Sequence, residues 1–98
     1  MSMELPSLEV AGDHWRVTGA LTMDTVESVL TASAVIGLPQ DGVIDLAAVD
    51  RVDSAGIALL LAWARRAATE GSRLSFAGMP ESMRSLATLY GVEELLVA

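Results

Sequence analysis

The side chains best suited to chemistry in this sequence are an acid and a neighbouring hydroxyl, Asp53 and Ser54, in the stretch VDSAG. A serine attacks a substrate only when a positioned base, usually a histidine, takes its proton. The single histidine, His14, falls in a predicted hairpin turn far along the chain, and no G-x-S-x-G elbow surrounds Ser54. We therefore expect that the protein is not an enzyme.

Motifs for cofactors and metals are also missing from the sequence. Neither a G-x-x-x-x-G-K-[ST] loop nor a G-x-G-x-x-G turn occurs, so a nucleotide would lack its usual phosphate cradle. Asp45, Asp50 and Asp53 have no His or Cys nearby, and their spacing does not match a calcium-binding loop. We expect no cofactor and no metal, and we assign these carboxylates to loops and caps.

Ser54 admits two interpretations. As the last residue before a helix it is well placed to be an N-cap for the first backbone amides. As an accessible hydroxyl it is a candidate for regulatory phosphorylation. A phosphate beside Asp53 and an apolar face would hinder a partner protein from binding that face, through charge repulsion and desolvation. From composition alone, the cap is favoured.

The composition predicts one small domain, residues 1–98, without a strong attraction to polyanions. The 98 residues carry 6 Lys+Arg against 13 Asp+Glu, a net charge of −7 that opposes binding to nucleic acid and to anionic lipid. The sequence has no cysteine, which favours a reducing compartment. The first ten residues do not resemble a signal peptide, and the longest apolar stretch, residues 56–64, is about half of a bilayer span. We expect a cytoplasmic protein without direct membrane insertion.

Hydrophobic periodicity predicts the element order β-β-α-β-α-β-α. A hairpin turns at Gly12 and Asp13, and a helix with Thr22 as its cap follows. GVIDLAAV has the apolar character of a strand buried on both faces. A long helix, the strand RLSFAG, a helix beginning near Pro80 and a short helical turn complete the chain. The fold class is α/β: a small mixed sheet with helices packed against it.

The long helix carries two apolar arcs on a helical wheel. One arc, centred on Ile57, Leu60 and Leu61, is wide enough to cover a sheet. The other arc also contains residues enriched in binding hot spots, and its members are Ala55, Leu59, Ala62, Trp63 and Arg66. Either this second arc binds a partner, which is the interpretation we favour, or another part of the chain, such as the C-terminal tail, covers it.

The run from VIDLAAVDRVDSAGIALLLAWARRAATEG to LATLYGV resembles the STAS domain (sulfate transporter and anti-sigma factor antagonist). The shared pattern is a strand ending in Asp-Leu, then Asp-Ser-x-Gly opening a helix, then a strand, a helix and Gly-Val. Within that family, the sequence is most similar to the small stand-alone STAS subunit of the Mla phospholipid ABC transporter of Gram-negative bacteria. The match covers nearly the whole chain.

The resemblance implies a cytoplasmic, non-catalytic subunit that is peripheral at the inner membrane. It would bind the ATPase subunit, itself in complex with a membrane permease and a substrate-binding subunit, and support transport that maintains outer-membrane lipid asymmetry. Ser54 would lie at the ATPase contact, and the expected partner-binding residues are Asp50, Arg51, Asp53, Ser54, Ala55, Leu59, Ala62, Trp63 and Arg66.

An anti-sigma factor antagonist switched by phosphorylation of Ser54 is the alternative function. Such antagonists commonly have an Asp after the Gly-x-Leu of the second strand, close to the phosphoacceptor. Here Thr22 occupies that position and Asp24 comes two residues later. This departure weakens the case for a kinase-controlled switch and leaves the docking argument unchanged.

Overall fold

The computed structural model describes residues 7–96 and confirms the predicted order of elements and the α/β class. The strands are β1 (Ser7–Ala11), β2 (His14–Leu21), β3 (Val43–Val52) and β4 (Ser75–Ala77). The helices are α1 (Val26–Ala34), α2 (Ser54–Thr69), α3 (Glu81–Leu89) and α4 (Glu93–Leu96). The predicted terminal turn is therefore present as α4, while Val97 and Ala98 lie outside the described residues, as do residues 1–6.

The four strands form one mixed sheet in the order β1-β2-β3-β4. β1 pairs with β2 in the antiparallel sense, whereas β2–β3 and β3–β4 are parallel pairs joined through α1 and α2. Two right-handed crossovers that advance in the same direction place their helices on the same face of a sheet. The chain order therefore places α1 and α2 side by side.

The core lies between this helical layer and one face of the sheet. β2 alternates buried and more exposed residues along its length, and β3 does so up to Leu46, as expected for a sheet covered on one side. Trp15, Val17 and Leu21 of β2 are buried against the helices, while Arg16 on the other face is exposed. The opposite face of the sheet carries polar groups, including the ion pair of Arg16 with Asp45 at 3.7 Å.

The prediction that GVIDLAAV is buried on both faces was wrong. Ile44, Leu46 and Val49 are buried, but Ala47 and Ala48 between them are exposed. The alternation shifts because β3 has one more residue than β2 between the pairs Arg16↔Asp45 and Thr18↔Ala48. Ala47 and Ala48, which are exposed, give the segment an almost wholly apolar composition although only one face of the strand is buried.

Helix α1 begins later than predicted. Thr25, not Thr22, occupies its N-cap position, and the Thr25 hydroxyl accepts a hydrogen bond from the Thr22 amide at 2.9 Å. The same hydroxyl donates to the carbonyl of Ala20 at 2.8 Å. Residues 22–25 thus form a turn against the end of β2, and the Met23 side chain in this turn is 76% exposed although it stands at helical spacing from Val26 and Leu30.

Candidate functional site

Trp63, expected to face a partner, is part of the protein's own core. Its side chain is 1% exposed, and its ring meets the Trp15 ring edge to face at a centroid distance of 5.7 Å. Its indole N–H donates a 2.9 Å hydrogen bond to the buried hydroxyl of Ser33 on α1. Leu59 is also buried, at 3% exposure. The expectation of an outward tryptophan and leucine was wrong, because α1 covers this arc of α2.

Arg66, also expected at the docking surface, holds the end of α1. Its guanidinium donates to the carbonyls of Ser33 at 3.0 Å and Ile36 at 2.7 Å, and to the Glu70 carboxylate at 2.8 Å. The Ser33 carbonyl also accepts from the Ile36 amide at 3.2 Å, so the guanidinium adds a side-chain bond to the closing turn of α1 and supplies a donor to the Ile36 carbonyl just beyond it. Its position on the second arc is explained by packing within the chain.

The N-cap of α2 is one residue earlier than predicted. Asp53, not Ser54, is the N-cap of α2, and its carboxylate accepts from the Ala55 amide at 2.8 Å. Its second oxygen accepts from the Met23 amide at 3.0 Å and so ties the turn before α1 to the start of α2. Ser54 is the first residue of the helix and is exposed, so its hydroxyl is accessible.

Gly56 is required where α2 begins, close to the ends of β2 and β3. A Cβ atom on this residue would lie 2.6 Å from the carbonyl oxygen of Leu21 and 2.6 Å from a methyl group of Val52. Both distances are far below van der Waals contact. The glycine of the Asp-Ser-x-Gly motif therefore allows the helix to start directly against the sheet.

A shallow apolar groove lies between α1 and α2. We call it the α1–α2 groove; its volume is about 290 Å³ and its lining residues are Val26, Glu27, Leu30, Ala55, Ala58, Leu59 and Ala62. Leu30 is 43% exposed and Ala58 is exposed, whereas Leu59 is buried and forms the floor. The two helices run in the same direction, because the turn at Met23 contacts Asp53 at one end and Ser33 contacts Trp63 and Arg66 at the other.

The predicted site residues thus separate into distinct groups. Ala55 and Ala62 line the groove, and the exposed Ser54 begins the same helix. Asp50 and Arg51 are exposed near the end of β3. Asp53, Leu59, Trp63 and Arg66 hold the helices together.

Sequence reasoning missed the contribution of α1 to this surface, and also Ala58. The lining residues on the α1 side are Val26, Glu27 and Leu30. The β-α-β-α-β order contained the signal, because it puts two helices side by side and makes part of the second apolar arc their contact.

Within residues 7–96, no cluster of three or more His, Cys, Asp or Glu side chains is arranged to hold a metal ion. The Asp45 carboxylate accepts from the Ala47 amide at 2.9 Å and pairs with Arg16. His14 lies at the start of β2, 4.0 Å from the carboxylate of Asp41. No helix among the described residues has both the length and the apolar character needed to cross a bilayer.

Solved structures share this fold. The anti-sigma factor antagonist SpoIIAA in its unphosphorylated form aligns with a TM-score of 0.56 at 19% identity, covering 86% of this chain and 82% of that one. A crystal structure of Mglu aligns with a TM-score of 0.55 at 30% identity over 76% of this chain. The chain spans only 19% of the length of the Mglu structure. Comparison with curated proteins found no match.

The family model described as "Mlab, STAS domain" matches residues 7–98, nearly the whole chain. Its range includes both helices of the groove and the motif formed by Asp53, Ser54 and Gly56. The protein therefore belongs to the MlaB-like family of STAS domains.

Proposed function

We propose that this protein is a non-catalytic subunit of an Mla-type phospholipid ABC transporter and that it binds the cytoplasmic ATPase subunit through the α1–α2 groove. The observation that carries the proposal is an exposed apolar groove beside the Asp-Ser-x-Gly helix start, in a chain of the MlaB-like family. In this role the domain is cytoplasmic, peripheral at the inner membrane, and supports maintenance of outer-membrane lipid asymmetry.

The chemistry of the groove supports a protein partner. Its exposed lining is almost wholly apolar on the α2 side, where Ala55, Ala58 and Ala62 present no polar side-chain atom. Small side chains let another backbone approach closely, and an amphipathic helix commonly binds in such a groove. Met23 and Leu30 extend the apolar surface on the α1 side, at 76% and 43% exposure. Burial of this surface in a complex would be favourable.

The domain would act on the ATPase by differential binding. A subunit without chemistry of its own raises a partner's activity only if it binds the active arrangement more tightly than the inactive one. Hydrogen bonds at both ends fix the two walls of the groove relative to each other. At one end the Met23 amide donates to Asp53, and at the other Trp63 and Arg66 donate to α1 and the residues just after it. A fixed surface binds without a large ordering cost, which favours a defined complex.

Two exposed alanines on α2 give a matched test. Ala58 lines the groove, whereas Ala68 is exposed on the same helix and does not line it. Purified ATPase subunit should bind the Ala58→Glu variant about 100-fold more weakly than wild type, because a charge would be buried without a partner. Binding to the Ala68→Glu variant should equal that of wild type. Equal binding by both variants would contradict the proposal.

The second candidate is an anti-sigma factor antagonist regulated by phosphorylation of Ser54. The exposure of Ser54 at the first position of α2 favours it, since a kinase could reach this hydroxyl. Thr22 in place of the expected acid disfavours it. Intact mass after incubation with a candidate partner kinase distinguishes the two functions. A single phosphate that is lost in the Ser54→Ala variant would support the antagonist.

A further inference from the structure

The charges around the α1–α2 groove are distributed unequally between its two ends. The end at which both helices begin carries Asp24 and Glu27 on the α1 side and Asp50 and Asp53 before α2, with Arg51 as the nearby cation in sequence. Glu27 itself lines the groove, and Asp24 is exposed in the turn before α1. The entrance to the groove at this end is therefore acidic.

These carboxylates are not all engaged within the protein. Asp53 uses both oxygens, for the Ala55 and Met23 amides. The ion pairs between described residues lie elsewhere, namely His14–Asp41, Arg16–Asp45 and Arg66–Glu70. In the described part of the chain, Asp24 and Glu27 thus have no cationic partner within ion-pair distance, and both face solvent.

The other end of the groove is basic. Arg65 is exposed and follows Ala58 by about two helical turns, so the two side chains share a face of α2. Arg66, next to it, is already bound to α1 carbonyls and to Glu70. Arg65 is therefore the cation at this end of the α1–α2 groove that is accessible to a partner. Ala55 and Ala62 are about 10 Å apart along the helix, which corresponds to two turns of a docked helix.

We infer that the α1–α2 groove binds an amphipathic helix of the partner with one defined orientation. Its small apolar stripe lies on Ala55, Ala58 and Ala62, its Lys or Arg residues lie over Asp24 and Glu27, and an acidic residue lies near Arg65. This inference rests on the proposed docking function and adds to it the chemistry and polarity of the bound segment. Complementary charges of this kind set orientation and association rate more than they add affinity.

Charge reversal with matched controls tests the orientation, with the purified ATPase subunit as the probe. The Glu27→Lys and Arg65→Glu variants should each bind about tenfold more weakly than wild type at low salt, because like charges would face each other. Glu94→Lys on α4 and Arg73→Glu before β4 make the same changes in net charge on exposed residues that do not line the groove. These controls should bind within about twofold of wild type.

The result distinguishes the oriented helix from the proposed docking function itself. The loss caused by Glu27→Lys should shrink at high salt, and Glu27→Gln, which removes charge without reversing it, should give a smaller loss with an unchanged melting temperature. If wild type binds the ATPase subunit but the groove variants bind it no more weakly than their controls, the oriented helix is wrong and the proposed function stands. Absence of wild-type binding to the ATPase subunit would overturn the proposed function and this inference with it.

Discussion

The indole of Trp63 on α2 donates a 2.9 Å hydrogen bond to the hydroxyl of Ser33 on α1, and both residues are 1% exposed. The Ser33 hydroxyl in turn donates to the carbonyl of Leu30 at 2.7 Å, so every polar atom in this contact has a partner. The pair joins the two helices that form the walls of the groove. Trp63 is thus an internal anchor that keeps the docking surface in shape.

Replacement of Trp63 by alanine should destabilise the domain. Loss of the large ring leaves a cavity beside Trp15, at a typical cost of about 3–5 kcal/mol. Urea unfolding followed by circular dichroism measures the change. The Trp63→Phe variant, which keeps an aromatic ring but loses the N–H, should cost less. A fully stable Trp63→Ala variant that has only lost partner binding would restore the idea of an outward tryptophan.

Replacement of Gly56 by alanine should also destabilise the domain, although alanine normally stabilises a helix by about 1 kcal/mol relative to glycine. The new methyl group would overlap the Leu21 carbonyl oxygen and Val52, with an expected cost of about 1–3 kcal/mol. Gly37 is the control, since a Cβ there meets nothing within 4 Å. Thermal melts of both variants give the comparison. Equal melting temperatures for the two variants would show that α2 can shift away from the sheet.

Replacement of Arg66 by lysine should loosen the end of α1 without unfolding the domain. A lysine lacks the planar fork with which the guanidinium reaches the carbonyls of Ser33 and Ile36 together. Amide hydrogen exchange should become faster in the segment that follows α1, whereas the exposed Arg65→Lys change should have no effect there. Unchanged exchange in both variants would mean that water satisfies these carbonyls equally well.

The architecture could be predicted from the sequence because its signals are local. Turn residues such as Gly12 and Asp13, together with strand and helix periodicities, predict where each element lies. The burial of Trp63 and Leu59 could not be predicted from the sequence of α2 alone. A helical wheel shows that a face is apolar but does not show which neighbouring element covers it. A similar limit applies to Asp53 and Ser54. Asp53 is the N-cap and Ser54 the exposed first residue of α2, and a helix that began one residue later would make Ser54 the cap.

The groove itself was only half predictable. The α2 pattern predicts Ala55 and Ala62, but Val26, Glu27 and Leu30 line the groove through the packing of α1. Met23, just before α1, has a helical spacing typical of a core residue and is nevertheless exposed, because a turn at Thr22–Thr25 precedes the helix. Such departures from periodicity depend on tertiary hydrogen bonds that one sequence does not reveal.

Thiol labelling provides the most direct test that the α1–α2 groove is the surface that meets the ATPase subunit. The sequence contains no cysteine, so Ala58→Cys and Ala68→Cys variants each carry a single thiol at an exposed position of α2. With the ATPase subunit at about ten times its Kd, maleimide labelling of the Ala58→Cys variant should slow about tenfold, because only the unbound fraction reacts. Labelling of the Ala68→Cys variant should keep its rate. Equal rates at Ala58→Cys with and without a bound ATPase subunit would show that the groove stays open in the complex and would contradict the account.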